Sequence, residues 1–419
     1  MQIKSIAIEN FKALRSTGTI PLKPLTVIIG NNGSGKSSLI EAVETYLRVI
    51  DSGVDSAMDH WQGFEHIRHK SAQPRLTSDV SPKKQHSALS ISLRVSTERG
   101  RAKLLMAVNT RDAANLLYIQ KEQYELGQHK VTRNAVEAGQ SPAAGIVASD
   151  TFQGDIQSAL KSLSNAESLL PYLGAFDGVT KDLRRMLFLR LNPEAIGQLQ
   201  SVKRSEKRLK LINDGSNVAE YLIDLRERSP SAFEEIANAL RYVLPYATDV
   251  EPKVLDAGIL RRSYVQLLES KYEIPGWLMS SGSLRVLPLI ATLLDPDPPP
   301  VVFIEEIENG LDPRTVGLVV DLLRAAAQSG RSQIIATTHS PYLLDMLDLD
   351  DVLLCERGAK GPTFSWPGSR AEMANWRSRF MPGRLYTMNA LQQGPTSTAS
   401  DATSNQTGEA PEGGWGDDA

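Results

Sequence analysis

A glycine-rich segment near the start of the chain carries the residue types that cradle a phosphate. Residues 30–37 read GNNGSGKS, the pattern of a phosphate-binding loop with lysine and a hydroxyl at its last two positions. Backbone N–H groups of such a loop, and the positive end of the following helix, suit a polyphosphate. We expect nine residues to contact the nucleotide, namely Gly30, Asn31, Asn32, Gly33, Ser34, Gly35, Lys36, Ser37 and Ser38.

The residues on either side of this loop predict the elements that position it. Residues 25–29 are apolar and rich in β-branched side chains, which indicates a buried strand, and residues 38–50 carry apolar side chains at helical spacing. Lys36 is then expected to reach the β- and γ-phosphates of ATP, and Ser37 to ligate Mg²⁺. A chance glycine-rich turn is the alternative, and the strand before and helix after it argue against that alternative.

Two adjacent carboxylates follow a second apolar strand. Residues 301–306 read VVFIEE, so Glu305 and Glu306 leave the strand in opposite directions because side chains alternate along it. We assign Glu305 to the metal, and Glu306 to the general base that orients and deprotonates the attacking water. A solvated strand end is the alternative, and the phosphate-binding loop in the same chain favours the catalytic reading.

A histidine ends a third predicted strand. Residues 334–341 read IIATTHSP, so a buried strand delivers His339 into a turn, where its imidazole can contact the γ-phosphate during catalysis. His339 is alternatively a turn residue that caps the helix beginning near Pro341. With Lys36 and Glu306, His339 completes the predicted catalytic set.

A helix start later in the chain offers a second anion site. Residues 279–285 read MSSGSLR, and the serines and glycine at the start of an apolar helix suit an anion. Since Lys36 already serves the phosphates within the chain, a site built on Ser281 and Gly282 suggests a partner molecule. A simple serine cap on a core helix is the alternative.

These segments, in this order, resemble the ABC-type ATPases, specifically the branch with the RecF recombination protein, SMC-like proteins and OLD-type phage-exclusion ATPases. The resemblance covers most of residues 1–391. The matching segments are residues 8–12 (N-terminal strand and turn), 280–283 (signature), 305–306 (Walker B acids), 309–313 (D-loop) and His339 (switch histidine). The signature lacks the usual second glycine and glutamine, and Glu305 stands where many relatives have aspartate.

The resemblance implies ATP hydrolysis with Mg²⁺ by two protomers that sandwich two ATP molecules. Each ATP would contact Lys36 of one chain and Ser281 and Gly282 of the other, and Asp312 of the D-loop would also contact the nucleotide. The assembly would be a homodimer or a higher oligomer. Gln62 and Gln85 both lie in the region of the Q-loop, and the sequence selects neither.

The spacing of the motifs narrows the biological role. Lys36 and Ser281 are 245 residues apart, far more than in a transporter subunit, so a large insertion separates them. The resemblance then implies a DNA-repair or phage-defence ATPase that contacts DNA or acts with a separate nuclease or effector protein. Residues 203–210 read KRSEKRLK and offer phosphate contacts, with a solvated helix face as the alternative. A weakly hydrolytic ATP-dependent scaffold or switch, and less so a transporter subunit, remain as alternatives.

The order of predicted elements indicates an α/β fold. We expect an ABC-ATPase head with a parallel core sheet, an antiparallel N-terminal sheet and a helical insertion. The predicted divisions are residues 1–150 (ATPase lobe with the phosphate loop), 151–275 (mainly helical insertion or lid), 276–391 (ATPase lobe with signature, Walker B and switch) and 392–419 (disordered acidic tail).

Composition sets limits on the class of protein. The 419 residues are 41% hydrophobic and 23% charged, as in ordinary globular domains. The net charge of −3 includes five acids and no Lys or Arg in residues 392–419, so the remainder carries +2 and lacks a strong basic footprint for DNA. The single cysteine, Cys355, fits a reducing compartment. No apolar run is long enough to span a membrane, so we expect a cytoplasmic protein without membrane contact.

Overall fold

The computed structural model describes residues 1–72, 87–111, 116–135, 145–149, 163–202, 209–258, 260–359 and 361–392. Three sequence-based expectations fall outside these ranges. They concern the basic residues 203–208, the Q-loop candidate Gln85, and the acidic tail beyond Gln392. In the ranges that are described, no helix combines the length and apolar character needed to cross a bilayer.

Strands and helices alternate along much of the chain. The strands are β1 (Gln2–Phe11), β2 (Leu14–Pro21), β3 (Leu25–Ile29), β4 (Leu89–Thr97), β5 (Gly100–Arg111), β6 (Leu116–Leu126), β7 (His129–Asn134), β8 (Ile146–Ala148), β9 (Leu187–Leu189), β10 (Gln200–Ser201), β11 (Asp249–Ala257), β12 (Leu260–Glu269), β13 (Tyr272–Pro275), β14 (Val301–Ile304), β15 (Gln333–Thr338), β16 (Val352–Gly358) and β17 (Gly361–Ser365). The helices are α1 (Lys36–Asp59), α2 (Phe64–Ile67), α3 (Asp177–Arg184), α4 (Pro193–Gly197), α5 (Val218–Arg228), α6 (Pro230–Val243), α7 (Ser281–Leu294), α8 (Pro313–Gln328), α9 (Pro341–Asp345), α10 (Met373–Arg377) and α11 (Pro382–Thr387).

A largely parallel sheet forms the centre of the fold. Among the described strands its order is β17-β16-β3-β15-β14-β9, and every neighbouring pair is parallel except β16 and β17. All residues of β3 and β14 are buried, as expected for a sheet that is covered on both faces. The predicted parallel core sheet is confirmed.

A second, antiparallel sheet comes from the first part of the chain. Its described strands follow the order β2-β1-β4-β5-β6-β7-β8. Helix α1 packs Val43 and Tyr46 into a core that this sheet shares with Ile28 of β3. The neighbouring side chains Val27 and Ile29 point into a separate core that contains residues of α7 and α8. The alternation of side chains along β3 therefore builds a core on each face of the central sheet.

The predicted helical segment, residues 151–275, contains more strand than the sequence suggests. β9 lies in this segment and pairs with β14 at the edge of the central sheet, while β10 to β13 form a further antiparallel sheet. Helices α5 and α6 agree with the predicted helical character of this segment, whereas residues 163–169 are not helical. β9 has only three residues, too few to show a periodic pattern. The domain boundaries at residues 150 and 275 stay a prediction.

Candidate nucleotide-binding site

The loops that carry the candidate residues follow three neighbouring strands of the central sheet. The glycine-rich loop follows β3, His339 follows β15, and Glu305 follows β14. β15 lies between the other two strands and is parallel to both. Because the carboxyl ends of parallel strands meet at one edge of a sheet, the three loops converge there.

The glycines of the loop are needed for two different reasons. Gly33 and Gly35 have φ angles of +72° and +117°, a region that L side chains rarely adopt. Gly30 is required by close approach, because a Cβ atom there would lie 2.0 Å from the carbonyl oxygen of Cys355. The loop thus passes directly against β16, and its course depends on the missing side chains.

Lys36 begins α1, and its side chain folds back over the loop. Its Nζ donates hydrogen bonds to the carbonyl oxygens of Gly30 at 2.7 Å and Asn31 at 3.1 Å. Burial lowers the pKa of Lys36 from its ordinary value, while the negative charges of Glu306 and Glu308 act in the opposite direction. The ammonium group is therefore within electrostatic reach of the acids that follow β14.

The polar residues of the loop differ in exposure. Ser37, Asn31 and Asn32 are exposed, whereas Ser34 and Ser38 are buried. The hydroxyl oxygen of Ser34 is buried and has no hydrogen-bond partner among the described residues. A buried polar atom without a partner costs free energy, and an oxygen of a bound phosphate would supply the missing partner. This loop therefore fits a polyphosphate.

Glu305, the first acid after β14, is engaged by an arginine from the edge of the sheet. Arg190 directly follows β9, and its Nε donates to Oε1 of Glu305 at 2.5 Å. Its Nη1 donates to Oε2 of Glu44, on α1, also at 2.5 Å. Burial acts to raise the pKa of Glu44, but Arg190 and Arg48 hold that pKa below its ordinary value. Arg190 thus lies between two carboxylates and connects α1 to the end of β14.

Glu306, the second acid, occupies a strained backbone position. Its φ of +49° lies in the left-handed region, which is uncommon for a residue with a side chain. The backbone N–H of Glu306 donates to Oγ1 of Thr337 at 2.9 Å, and Nδ2 of Asn309 donates to its Oε2 at 3.3 Å. The residue is exposed. Backbone strain of this kind clusters at functional sites, and here it leaves the carboxylate accessible.

A third acid, Glu308, connects the loop after β14 to the loop after β15. Its Oε1 accepts a hydrogen bond of 2.6 Å from the backbone N–H of His339. The backbone N–H of Ile307 donates to the carbonyl oxygen of Thr337 at 3.1 Å. Oε2 of Glu308 is buried and has no hydrogen-bond partner in the described part of the chain. The position of His339 is therefore set from the segment that carries the acids.

The signature segment forms the start of α7 and contacts the D-loop of the same chain. Oγ of Ser280 accepts a hydrogen bond from the backbone N–H of Ser283 at 3.1 Å, so Ser280 is the helix cap. Ser281 is exposed, and a Cβ atom on Gly282 would lie 2.5 Å from the carbonyl oxygen of Gly310. Within the described residues, no hydrogen bond links Ser281 or Gly282 to the glycine-rich loop. Ser280 therefore caps α7, while Ser281 is exposed, and the anion site at Ser281 and Gly282 stays a prediction.

Asp312 caps the helix that follows the D-loop. Its Oδ1 accepts hydrogen bonds from the backbone N–H groups of Arg314 at 3.0 Å and Thr315 at 3.2 Å. Burial acts to raise the pKa of Asp312, but the hydrogen bonds, first that from the Thr315 hydroxyl, hold it below its ordinary value. The carboxylate therefore has a structural task, and its contact with nucleotide stays a prediction.

Several residues of the site were missed by sequence reasoning. Arg190 and Glu44 enter it through long-range ion pairs, and Thr337 enters through its hydroxyl group. One signal was available for Glu308, since it lies two residues after Glu306 in the same acidic run. Another was available for Glu44, an acid surrounded by apolar residues in the predicted helix.

The remaining candidates add no metal centre. Gln62 has a φ of +64° in the turn after α1, and its Q-loop role stays a prediction. Across the described ranges, no group of three or more His, Cys, Asp or Glu residues could hold a metal ion. Magnesium would therefore depend on Ser37 and Glu305 together with oxygens of the nucleotide. The exposed hydroxyl of Ser37, at the start of α1, fits that arrangement.

Known proteins resemble this chain in sequence and in fold. The chain is 21% identical over 433 residues to the "Retron Ec83 probable ATPase" of Escherichia coli, covering 90% of this chain and 75% of that protein. The solved structure of an "SmcHead bound to the C-winged helix domain of ScpA" matches with a TM-score of 0.50 at 13% identity, covering 87% of this chain and 97% of the other.

The structural match shows that the fold is that of an SMC-type ATPase head. Residues 25–345, well over half of the chain, match the protein family described as "AAA domain, putative AbiEii toxin, Type IV TA system". This range extends from β3 and the glycine-rich loop through both acids and His339 to the end of α9. The chain therefore belongs to this AAA-domain family, and its fold is that of an ABC-type, SMC-like ATPase head.

Proposed function

We propose that this protein hydrolyses ATP and that ATP joins two copies of it. The observation that carries the proposal is the convergence of the loops after β3, β15 and β14 at one edge of the central sheet. This edge carries a lysine that can bind phosphate, a carboxylate that can accept a proton and a histidine that can contact a γ-phosphate. Those are the groups that phosphoryl transfer to water needs.

Each group has a role that its environment supports. Lys36 binds the β- and γ-phosphates, because its ammonium group lies over the loop and is free to exchange backbone carbonyls for phosphate oxygens. Glu306 orients the attacking water and accepts its proton, and its exposure allows that contact. Mg²⁺, when bound by Ser37 and Glu305, neutralises charge on the β- and γ-phosphates. His339 contacts the γ-phosphate from the loop that Glu308 holds.

The exposed start of α7 supports a second chain as the other half of the site. Ser281 and its neighbours lie at a helix N-terminus, where backbone N–H groups and the helix dipole favour an anion. The Gly282 contact with Gly310 joins this helix start to the D-loop, so both would present together to a partner. ATP bound to Lys36 of one copy would then be contacted by Ser281 and Gly282 of the other.

Glu306→Gln is the test of this proposal. The amide keeps the shape of the side chain but cannot accept the proton, so we expect ATP binding to remain and turnover to fall by about 10²-fold or more. Dimers should accumulate with ATP and be visible by light scattering after size-exclusion chromatography. Lys36→Ala should instead weaken nucleotide binding itself, as measured by calorimetry. Undiminished turnover in Glu306→Gln would exclude Glu306 as the base.

We further propose that the ATPase acts in phage defence with a separate effector or nuclease, or in contact with DNA. The likeness to a retron ATPase supports the defence role. Phage challenge of cells that carry the gene with its neighbours, in wild-type and Glu306→Gln forms, tests it. Equal phage titres in both strains and in cells without the gene would contradict it.

Turnover measured with and without duplex DNA tests the DNA contact, since a responsive enzyme should be stimulated.

A weakly hydrolytic switch is the second candidate, and one observation favours it. Glu305 is paired with Arg190, so part of its charge is compensated before any cation binds. Slow turnover that DNA does not change, together with stable ATP-dependent dimers, would support the switch. Fast or DNA-stimulated turnover would support the enzyme.

A further inference from the structure

Arg190 lies at the centre of a chain of charged groups that links the phosphate-binding helix to the first acid of the site. Its guanidinium group contacts Glu305 through Nε and Glu44 through Nη1, each at 2.5 Å. Glu44 is itself held by Arg48, whose Nη2 donates to Oε1 at 2.8 Å, and by Nδ2 of Asn213 at 3.3 Å. Arg190 is thus shared between an acid that is fixed and an acid that borders the nucleotide site.

The two acids differ in how firmly they are held. The side chain of Glu44 is 4% exposed and both of its oxygens have partners. The side chain of Glu305 is 15% exposed, and among the residues that the structure describes it is held by one nitrogen of Arg190. A buried carboxylate must keep its counter-charge, because an uncompensated buried charge is strongly unfavourable. Glu44 is therefore the acid that retains Arg190 when Glu305 takes another cation.

Arg190 can release Glu305 while its backbone and its contact with Glu44 stay in place. Its Nη2 atom is buried and has no hydrogen-bond partner within the ranges that the structure describes. The backbone N–H of Arg190 is fixed by a 2.8 Å hydrogen bond to the carbonyl oxygen of Asn213. A small rotation of the guanidinium group would release Nε from Glu305 while the contact with Glu44 is kept.

We propose that Arg190 is a positioning residue that sets the affinity of Glu305 for the divalent cation. Arg190 forms an ion pair with Glu305 and so competes with the cation for that carboxylate. Glu44 forms a second ion pair with Arg190, which allows the cation to displace Arg190 from Glu305. Arg190 and Glu44 therefore have opposite effects on cation binding: the arginine weakens it, and Glu44 strengthens it. This inference rests on the proposed function, in which Glu305 contacts Mg²⁺.

The test measures Mn²⁺ affinity rather than activity. Free Mn²⁺ is counted by electron paramagnetic resonance during titration of the full-length chain saturated with a nonhydrolysable ATP analogue. Arg190→Met removes the competing charge and should tighten Mn²⁺ binding by about tenfold, while Glu44→Gln leaves Arg190 to Glu305 alone and should weaken binding by about tenfold. Arg190→Lys keeps the charge but loses the planar fork that contacts both carboxylates, so its Mn²⁺ affinity should lie between those of the wild type and Arg190→Met.

Arg184→Met is the matched control. Arg184 pairs with Asp51 of the same helix α1 at 2.7 Å, and both side chains are 48% exposed. Its loss removes an arginine contact to α1 without touching Glu305, so Mn²⁺ affinity should not change. A merely structural role for Arg190 would weaken binding in Arg190→Met and Glu44→Gln alike.

The outcomes separate this inference from the proposed function. If the wild type binds neither the ATP analogue nor Mn²⁺, the proposed function is wrong. If the wild type binds both, and Arg190→Met binds Mn²⁺ equally or more weakly, the inference about Arg190 is wrong. Should Arg190→Met fail to fold, unchanged or tighter Mn²⁺ binding in Glu44→Gln still overturns the inference.

Discussion

The carboxylate of Glu308 accepts a hydrogen bond of 2.6 Å from the backbone N–H of His339, 31 residues later in the chain. This bond joins the loop after β14 to the loop after β15, so the acids and the histidine are held as one unit. A side chain that fixes a backbone N–H at this distance restricts the direction in which the histidine leaves the strand. Glu308 therefore acts on the site through His339.

We first predict that Glu308→Ala lowers ATP turnover by about a hundredfold, because a displacement of about 1 Å at a reacting group has that effect. Glu308→Gln keeps an oxygen that can accept the His339 N–H and should recover much of the loss. Steady-state ATPase rates of both variants provide the comparison. Equal rates in the alanine and glutamine variants would show that the charge of Glu308 matters rather than its hydrogen bond.

The second prediction concerns Gly30. Gly30→Ala places a Cβ atom 2.0 Å from the carbonyl oxygen of Cys355, and a backbone atom of a buried strand cannot move away cheaply. We expect a loss of about 1–3 kcal/mol in unfolding free energy, with weaker ATP binding because the loop shifts. Gly358→Ala, in the same strand β16, meets nothing within 4 Å and serves as the control. Equal melting temperatures and equal ATP affinities of Gly30→Ala and Gly358→Ala, measured by thermal melts and calorimetry, would contradict this prediction.

The third prediction concerns the contact between the signature and the D-loop. Gly282→Ala would bring a Cβ atom to 2.5 Å from the carbonyl oxygen of Gly310, so one of the two segments must shift. Both segments belong to the surface proposed to meet the partner chain, so ATP-dependent dimers should be lost while a single chain still binds ATP. Light scattering in the presence of ATP measures the loss of dimers, with Gly282→Ala introduced into the Glu306→Gln variant.

Gly317→Ala is the control for that experiment. Gly317 lies inside α8, and an added Cβ atom there meets nothing within 4 Å. Alanine in a helix interior is favoured over glycine by about 1 kcal/mol, so this variant should keep dimers and melt at the same temperature or higher. Dimers of normal stability in Gly282→Ala would remove this surface from the proposed interface.

Strands β3, β14 and β15 of the central sheet were predictable because they carry strong local patterns. Residues 301–304 form a strand with the predicted bounds, as continuous β-branched runs next to proline or glycine allow. β9 and the sheet of β10 to β13 were not predicted, because three-residue strands and strands with charged faces leave little periodicity. Their positions depend on tertiary pairing, which the local sequence does not encode.

The candidate site likewise contains parts that the local sequence predicts and parts that it does not. The loop around Lys36 follows from residue types and spacing, since glycines and lysine act close to their own position in the chain. Arg190 acts on Glu305 over 115 positions, and Glu308 acts on His339 over 31. Such partners depend on which strands are neighbours in the sheet, so only the fold reveals them.

The fourth prediction concerns the only cysteine of the sequence. Cys355 is buried, its Sγ donates to the carbonyl oxygen of Ser34 at 3.4 Å, and burial raises the pKa of the thiol to about 11. Because the thiolate is the reactive form, the folded protein should resist iodoacetamide at pH 8 and react fully in denaturant. Mass spectrometry gives the extent of modification. Rapid labelling of the folded protein would contradict the buried position.

The same thiol predicts a loss of stability at alkaline pH. Its pKa is raised on folding from an ordinary value of 9.0 to about 11, so the unfolded chain binds fewer protons between these values. The free energy of unfolding therefore falls as pH rises from about 9 to about 11. Cys355→Ser, whose hydroxyl does not titrate in this range, should show a smaller decrease in denaturant titrations at pH 8 and pH 10.

The last prediction concerns a buried ion pair between β6 and β7. Nη2 of Arg133 contacts Oε2 of Glu122 at 2.8 Å, with side chains 3% and 0% exposed, and the hydroxyl of Tyr124 donates to Oε1 at 2.7 Å. Arg133→Met leaves the Glu122 charge buried without its partner, which should lower the unfolding free energy by about 3–5 kcal/mol. Urea titration followed by circular dichroism measures the loss.

A second pair between the same two strands provides the comparison for Arg133→Met. Lys130 and Glu125 lie 3.0 Å apart with side chains 61% and 31% exposed, so Lys130→Met should cost less than about 1 kcal/mol. Adding Glu122→Gln to Arg133→Met removes the unpaired charge and should recover part of the lost stability. A double variant as unstable as Arg133→Met would mean that lost packing of the arginine, rather than the charge left on Glu122, accounts for the effect.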